Sequence, residues 1–392
     1  MSADVVIVGG GLEGVAAARC LAGRGVSVTV LERATIGSGG TGKSSGIVRC
    51  HYGVPSLAAM AWKGTELFEN AQDVLGQDVG FRRTGYVVGV GAQNAAALRA
   101  NLEMHKGLGI DVREIGHDEV KEMWPAAYTD DFAAFGYEPY GGYGDAYSTA
   151  QAFAAAARRD GAVIRQGAEV ASIVAESGKV TGVLLADGEF VAADVVVLAA
   201  GPWSVALAAP LGLALPIRAM REQIMLIDPG EHLGDIPVLS DLVSLQYVRA
   251  ETGGKLLFGN SDLSEPEWAD PDAYRNRAET SFMERTAARL EHRFPGLINA
   301  GFTGGYAGCY DVTPDFNPII GPAGPDGLVV AAGFSGHGFK ISPAVGELVA
   351  DLVIEGDSLD PQVPAADFRF TRFAEESPLT STNPYIGAGE MR

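Results

Sequence analysis

Apolar and polar positions along this chain follow two rhythms. Short, nearly continuous apolar runs at residues 5–8, 26–31, 195–201 and 328–332 have the length and β-rich character of buried parallel strands. Helical spacing of apolar residues predicts helices over 16–22, 56–75, 93–106, 149–160, 273–294 and 343–354. Alternating stretches at 83–90, 170–175, 180–185 and 190–191 predict further strands, and 216–258 is strand-rich throughout. The pattern predicts an α/β class, with a doubly wound, Rossmann-like nucleotide domain at both ends of the chain. A second domain, on a mixed or antiparallel sheet, is interleaved with it. The expected division gives 1–80, 145–215 and 310–392 to the nucleotide domain and 81–144 and 216–309 to the substrate domain. Beyond Asp360 the chain bears Pro and Ser, and its last residues are expected to be mobile.

Composition narrows the function. With 392 residues, 47% of them apolar, the chain is long enough for two connected domains around a large core. The net charge of −20 argues against nucleic acid and anionic membrane surfaces as partners. No run is apolar for long enough to span a bilayer, and no basic leader precedes the first strand. Cys20, Cys50 and Cys309 are far apart, so neither a metal site, a disulfide framework nor a redox dithiol is expected. A cytoplasmic location is the expectation that follows.

The chemistry is carried by glycines. Gly9, Gly11 and Gly14 follow the first strand and open a helix, and the second strand ends at Glu32. In such a βαβ unit the three glycines respectively allow the tight turn, the approach of a pyrophosphate and close helix–strand packing. The helix end offers N–H groups to the phosphates, and Glu32 offers a carboxylate to the ribose hydroxyls. No second G-x-G-x-x-G between a strand and a helix is found for a nicotinamide reductant; Gly37, Gly39 and Gly42 repeat the spacing within a glycine-rich loop. A tightly held FAD reduced directly by substrate is therefore the expected cofactor.

Three further segments carry a family resemblance. Gly37-Ser38-Gly39-Gly40-Thr41-Gly42-Lys43-Ser44-Ser45-Gly46-Ile47-Val48-Arg49-Cys50-His51-Tyr52 resembles the loop after the second strand in the D-amino-acid oxidase superfamily, within its sarcosine oxidase and glycine oxidase branch. Ala199-Ala200-Gly201-Pro202-Trp203-Ser204 is similar to that family's A-G-x-W strand end, and Gly333-Phe334-Ser335-Gly336-His337-Gly338-Phe339-Lys340 to its flavin loop. The resemblance covers both ends of the chain and is weak through the middle. It implies FAD contacts from Gly9, Gly11, Leu12, Glu13 and Gly14, from Glu32 and Arg33, and from Gly40, Thr41, Ser44, Ser45 and Gly46. Further contacts are implied for Val170, for Ala200, Gly201 and Trp203, and for Gly333, Gly336, His337, Gly338, Phe339 and Lys340.

The same resemblance assigns Arg49 and Lys340 to the substrate carboxylate, a task suited to a guanidinium fork and an ammonium point charge. Pairing of Arg49 with the cofactor phosphates or a surface carboxylate is the alternative. Tyr310 matches a tyrosine lining the substrate cavity, and Tyr247 is a looser candidate for the opposite wall. His337 reads as a loop-shaping residue, and His51 as an ionisable neighbour of the substrate amine. Two positions depart from the family. Where relatives attach FAD through a cysteine, this chain has Gly308, with Cys309 one residue later, so FAD is expected to be non-covalent. Where the monomeric oxidases carry an oxygen-activating lysine, this chain has Leu257, with Lys255 two residues away.

The resemblance thus implies two-electron oxidation of the C–N bond of an amino acid or N-methyl amino acid. Hydride passes to the flavin, the imine is hydrolysed, and O2 is the expected acceptor. The alternatives are a dehydrogenase of an amine or 2-hydroxy acid serving a quinone or partner protein, and a β-like subunit of a heteromeric sarcosine oxidase-type complex.

Overall fold

A computed structural model describes residues 2–387. The expected mobility of the last residues falls partly on 388–392, outside the described residues.

Ser2–Val8 is the centre of the first sheet. Val5 pairs in parallel with Val28 on one side and Val195 on the other, and all three strands are built from small β-branched residues. The path through this sheet is Ile319–Pro322, Leu328–Ala332, Phe190–Leu198, Ser2–Val8, Val28–Glu32 and Val163–Gln166. Val170–Glu176 and Lys179–Leu185 join it as antiparallel neighbours of Phe190–Leu198. The second sheet runs in the order Gly301–Val312, Arg218–Asp228, Lys255–Asn260, Gln246–Glu251, Val238–Asp241, Tyr86–Val90, Ala134–Glu138 and Arg113–Ile115. Every pairing in it is antiparallel except that of Val238–Asp241 with Tyr86–Val90. A doubly wound sheet and a mixed one therefore draw on alternate stretches of chain, and Gly301–Val312 runs through the expected boundary at 309/310.

The two ends of the chain meet through helices. Leu12–Gly23 packs on Gly338–Ile354 so closely that a Cβ on Gly346 would lie 2.7 Å from the Ala16 carbonyl. Arg24 ties the pair to Asp351 at 2.6 Å. On the far side, a Cβ at Gly64 of helix Pro55–Glu69 would lie 1.9 Å from the Lys340 carbonyl, so only glycine admits this crossing.

Several element bounds differ from the sequence expectation. The helix expected at 343–354 begins at Gly338. Pro343 cannot donate to the Phe339 carbonyl, but Ser342 Oγ does so at 2.9 Å, and the turn survives. The helix expected over 273–294 begins only at Thr280. The carbonyls of Arg275 and Arg277 instead accept from the buried Arg221 guanidinium, at 2.9 and 2.7 Å, which holds that stretch out of helix. The helix expected over 56–75 breaks at Asn70, whose side-chain amide donates to the Glu66 carbonyl at 2.8 Å. The runs at 190–191 and 195–201 are one strand, Phe190–Leu198.

Candidate active site

A cavity of about 640 Å³ opens between the carboxyl ends of the first sheet's strands and the second sheet. Gly9, at φ +110°, turns the chain at its floor, where a Cβ would lie 2.4 Å from the Ala199 carbonyl. A Cβ on Gly14 would lie 2.1 Å from the Gly9 carbonyl, so Gly14 serves the packing of helix on strand. Gly11 differs from both. Its φ is −69°, and the nearest atom to an added Cβ is Thr41 Oγ1 at 3.5 Å. Nothing inside the protein requires glycine there, whereas a phosphate lying against the helix end does. This cradle, the helix N-terminus and the apolar wall of Val8, Leu31, Val170 and Ala199 fit an FAD dinucleotide.

Glu32 stands at the end of the second strand and lines the cavity. Its carboxylate accepts from the N–H groups of Gly10 and Ala34, both at 2.8 Å, which fixes it at the strand end with lone pairs to spare for a ribose. Beside it Arg33 covers the Trp203 ring at 4.1 Å and pairs with Asp272 at 3.0 Å, while the Trp203 indole N–H donates to the same carboxylate. This clasp brings the segment at 271–274 into the cavity lining, a contact that no motif in the sequence announced. Thr41 Oγ1 accepts from Leu12 N at 3.0 Å, joining the 40–46 loop to the helix end. Burial raises the carboxyl of Glu13 to about 7 and that of Asp311 to about 6, with Asp311 contributing to the shift at Glu13. Asp311 also accepts from Gly333 N at 2.6 Å and so holds the second glycine loop in place.

Most of the anticipated cofactor contacts line the cavity: Gly9, Gly11, Leu12, Glu13, Glu32, Arg33, Gly40, Thr41, Ser44, Ser45, Val170, Ala200, Gly201, Trp203, Gly336, Gly338, Phe339 and Lys340. Gly46 instead packs at φ +68° against the Gly144 carbonyl, and Gly333 at φ +80° against Thr313. His337 lies behind the loop, with Nδ1 3.3 Å from the Tyr52 hydroxyl. Tyr310 lines the cavity and packs on Gly336. Tyr247 sits in the second sheet against Gly259, away from the cavity-lining set.

Arg49 and Lys340 come together around Tyr52. The guanidinium lies 4.5 Å and the ammonium 5.9 Å from the centroid of its ring. Both cations are buried. Burial, followed by the charges of Lys340 and Arg49, keeps the His337 imidazole well below its usual pKa and neutral. His51 is neutral for the same first reason, with His105 and Arg49 adding to the effect. Neither histidine therefore supplies a proton near neutral pH.

The segment bearing Arg49 is pinned on all sides. Arg49 donates to the His51 carbonyl, Cys50 N donates to Glu138 Oε2 at 2.7 Å, and His105 Nε2 lies 2.8 Å from the Tyr52 carbonyl. Glu138 and His105 went unnoticed in the sequence because neither lies in a motif. Burial raises the Glu138 carboxyl to about 7 and lowers His105 to about 4. Arg249 is a further buried cation, donating to the Ser45 carbonyl at 2.6 Å and covering Tyr143. It stands opposite Leu257 in the sheet, and Leu257 is fully buried. Cys309 is among the residues lining the cavity, and burial raises the pKa of its thiol to about 11. Position 308 faces Lys43.

Among the described residues no cluster of His, Cys, Asp and Glu could hold a metal ion, and no helix is long and apolar enough to cross a membrane. The chain is 27% identical to sarcosine oxidase subunit beta of Rhodobacter capsulatus, covering 95% of this chain and 89% of that one. It is 29% identical to 4-methylaminobutanoate oxidase (formaldehyde-forming) of Paenarthrobacter nicotinovorans across 90% of this chain, which spans only 43% of that longer protein. The crystal structure of L-proline dehydrogenase from P. horikoshii superposes with a TM-score of 0.88 at 27% identity, over 96% of this chain and 99% of that one. The model of the FAD dependent oxidoreductase family DAO matches residues 4–352, and this chain belongs to that family.

Proposed function

We propose that this protein oxidises the C–N bond of an amino acid or N-methyl amino acid whose carboxylate is held by Arg49 and Lys340. The observation that carries this reading is the convergence of two buried cations, from opposite ends of the chain, on the ring of Tyr52, with Lys340 lining the cavity. A substrate carboxylate suits a guanidinium fork and an ammonium point charge. FAD, when bound, supplies the two-electron acceptor for a hydride from the carbon next to nitrogen, and the resulting imine hydrolyses in water. The protein's own contribution is to fix the substrate by its carboxylate and to shield the reacting carbon with Tyr310 and Phe339. Two cations and neutral histidines also favour an amine that has shed its proton. We take FAD to be non-covalent, because position 308 is a glycine that faces Lys43.

A second reading differs in the electron acceptor. Leu257 stands where the monomeric oxidases carry an oxygen-activating lysine, and this supports a dehydrogenase serving a quinone, a partner protein or a partner subunit in place of O2. One experiment separates the readings. The purified, FAD-loaded protein is mixed anaerobically with N-methyl, L- and D-amino acids, and the visible flavin absorbance is followed before and after air is admitted. Bleaching with recovery and peroxide identifies an oxidase, and bleaching that persists in air a dehydrogenase. A protein that no amine bleaches is not an amine oxidoreductase acting alone.

A further inference from the structure

Residues 379–387 cross the molecule as a strap. At its root Leu379 N donates to Asp315 Oδ2 at 3.0 Å, and Asn317 Nδ2 donates to the Leu379 carbonyl at 2.8 Å. The strap then passes over Gly53, where Thr382 N and Oγ1 both donate to the Gly53 carbonyl at 2.9 Å. A Cβ on Gly53 would lie 1.8 Å from Ser381 Oγ, so glycine is required for the crossing. Two buried asparagines receive the far end. Asn101 donates to the Asn383 carbonyl at 3.1 Å, and Asn94 both donates to Ile386 O and accepts from Ile386 N, at 3.0 and 2.8 Å.

Between these anchors the strap drives Tyr385 inward. Its side chain is buried, its hydroxyl lies 2.6 Å from His51 Nε2, and the two rings stack at 5.9 Å with 14° between their planes. His51 Nδ1 faces Glu138 Oε1 at 3.8 Å, beyond hydrogen-bond reach, so the hydrogen bond to Tyr385 holds the imidazole at its Nε2 end. The His51 carbonyl in turn accepts from Arg49. A side chain fixed in this way transmits its position to the guanidinium two residues earlier.

We propose that Tyr385 is a positioning residue for the anion site: through His51 it sets where Arg49 presents its guanidinium, so residues 379–387 form part of the substrate site. The proposal rests on the reading of Arg49 given above. An exposed, merely covering segment needs neither a buried tyrosine nor a hydrogen bond to the histidine beside the cation. Losing one such hydrogen bond loosens the guanidinium without unfolding the site.

The test uses the FAD-loaded full chain and methoxyacetate, which has a carboxylate and no amine, titrated by the change in flavin absorbance. Tyr385→Phe is expected to weaken methoxyacetate about threefold to tenfold, with FAD content unchanged and only a small fall in the thermal midpoint. In an Arg49→Lys background the same change is expected to have no further effect, because Tyr385 acts through the guanidinium. Equal affinity in Tyr385→Phe and wild type overturns the proposal. So does an equal loss in both backgrounds, which marks a role in the fold alone. Wild-type protein that amino acids reduce but methoxyacetate leaves spectrally unchanged overturns the Arg49 reading itself, and the strap proposal with it.

Discussion

Arg49 and Lys340 share the ring of Tyr52, the first at 4.5 Å and the second at 5.9 Å from its centroid. They come from a loop near one end of the sequence and from the first turn of the helix Gly338–Ile354. If both hold one carboxylate, their loss falls on substrate binding. Arg49→Met is expected to raise KM for the amino-acid substrate about 10- to 100-fold, and Lys340→Met about tenfold, with smaller effects on kcat. Steady-state kinetics with the best substrate of the bleaching panel checks both. A large fall in kcat with unchanged KM would place the cations elsewhere.

The glycines of the first turn separate by role. Gly14→Ala is expected to prevent folding, since its Cβ would lie 2.1 Å from a carbonyl oxygen. Gly11→Ala is expected to leave the stability of cofactor-free protein within about 1 kcal/mol of wild type while sharply weakening FAD binding. Thermal unfolding of the apoprotein and FAD titration by fluorescence quenching read the two effects independently.

Denaturation is expected to release the flavin. With glycine at position 308 and the Cys309 thiol protonated at neutral pH, no thiolate stands ready to form a bond. Intact-mass measurement should find the bare polypeptide, and filtration after acid treatment should leave the yellow colour in the filtrate. An adduct on Cys309, absent from Cys309→Ser, would reverse this.

Stability should depend on pH through Glu138. Burial raises its carboxyl from 4.5 to about 7, so between those values the folded protein binds a proton that the unfolded chain has released. Folding stability therefore falls as pH rises through this window and is level above it. The contribution is on the order of 3 kcal/mol. Glu138→Gln keeps an acceptor for Cys50 N–H and is expected to make the profile between pH 5 and 7 shallower, leaving the slope that Glu13 and Asp311 contribute in the same window. Denaturant melts at a series of pH values test this; identical slopes in mutant and wild type would exclude it.

Asp315 and Arg372 form a buried pair, at 2.8 and 2.9 Å, that anchors the chain ahead of the strap. Asp315→Ala leaves the guanidinium uncompensated and is expected to cost about 3–5 kcal/mol, measured by chemical denaturation. A loss below 1 kcal/mol would show that the pair contributes little to holding this segment.

Local order alone determined much of this protein. The apolar run at 5–8, Gly9, Gly11, Gly14 and Glu32 lie within one βαβ unit, where spacing fixes geometry, so the turn and its ligand class were legible. The loops at 37–52 and 333–340 were legible through their resemblance to a known family, which pointed to Arg49 in the first and Lys340 in the second. Contacts between distant segments were not. Glu138, His105 and Tyr385 carry no motif, yet burial and packing bring them around the Arg49 segment. The helix at Thr280 starts late because Arg221, far away in sequence, takes its upstream carbonyls. Side chains that act through desolvation and long-range hydrogen bonds leave no periodicity in the chain, so only the tertiary structure assigns them a place.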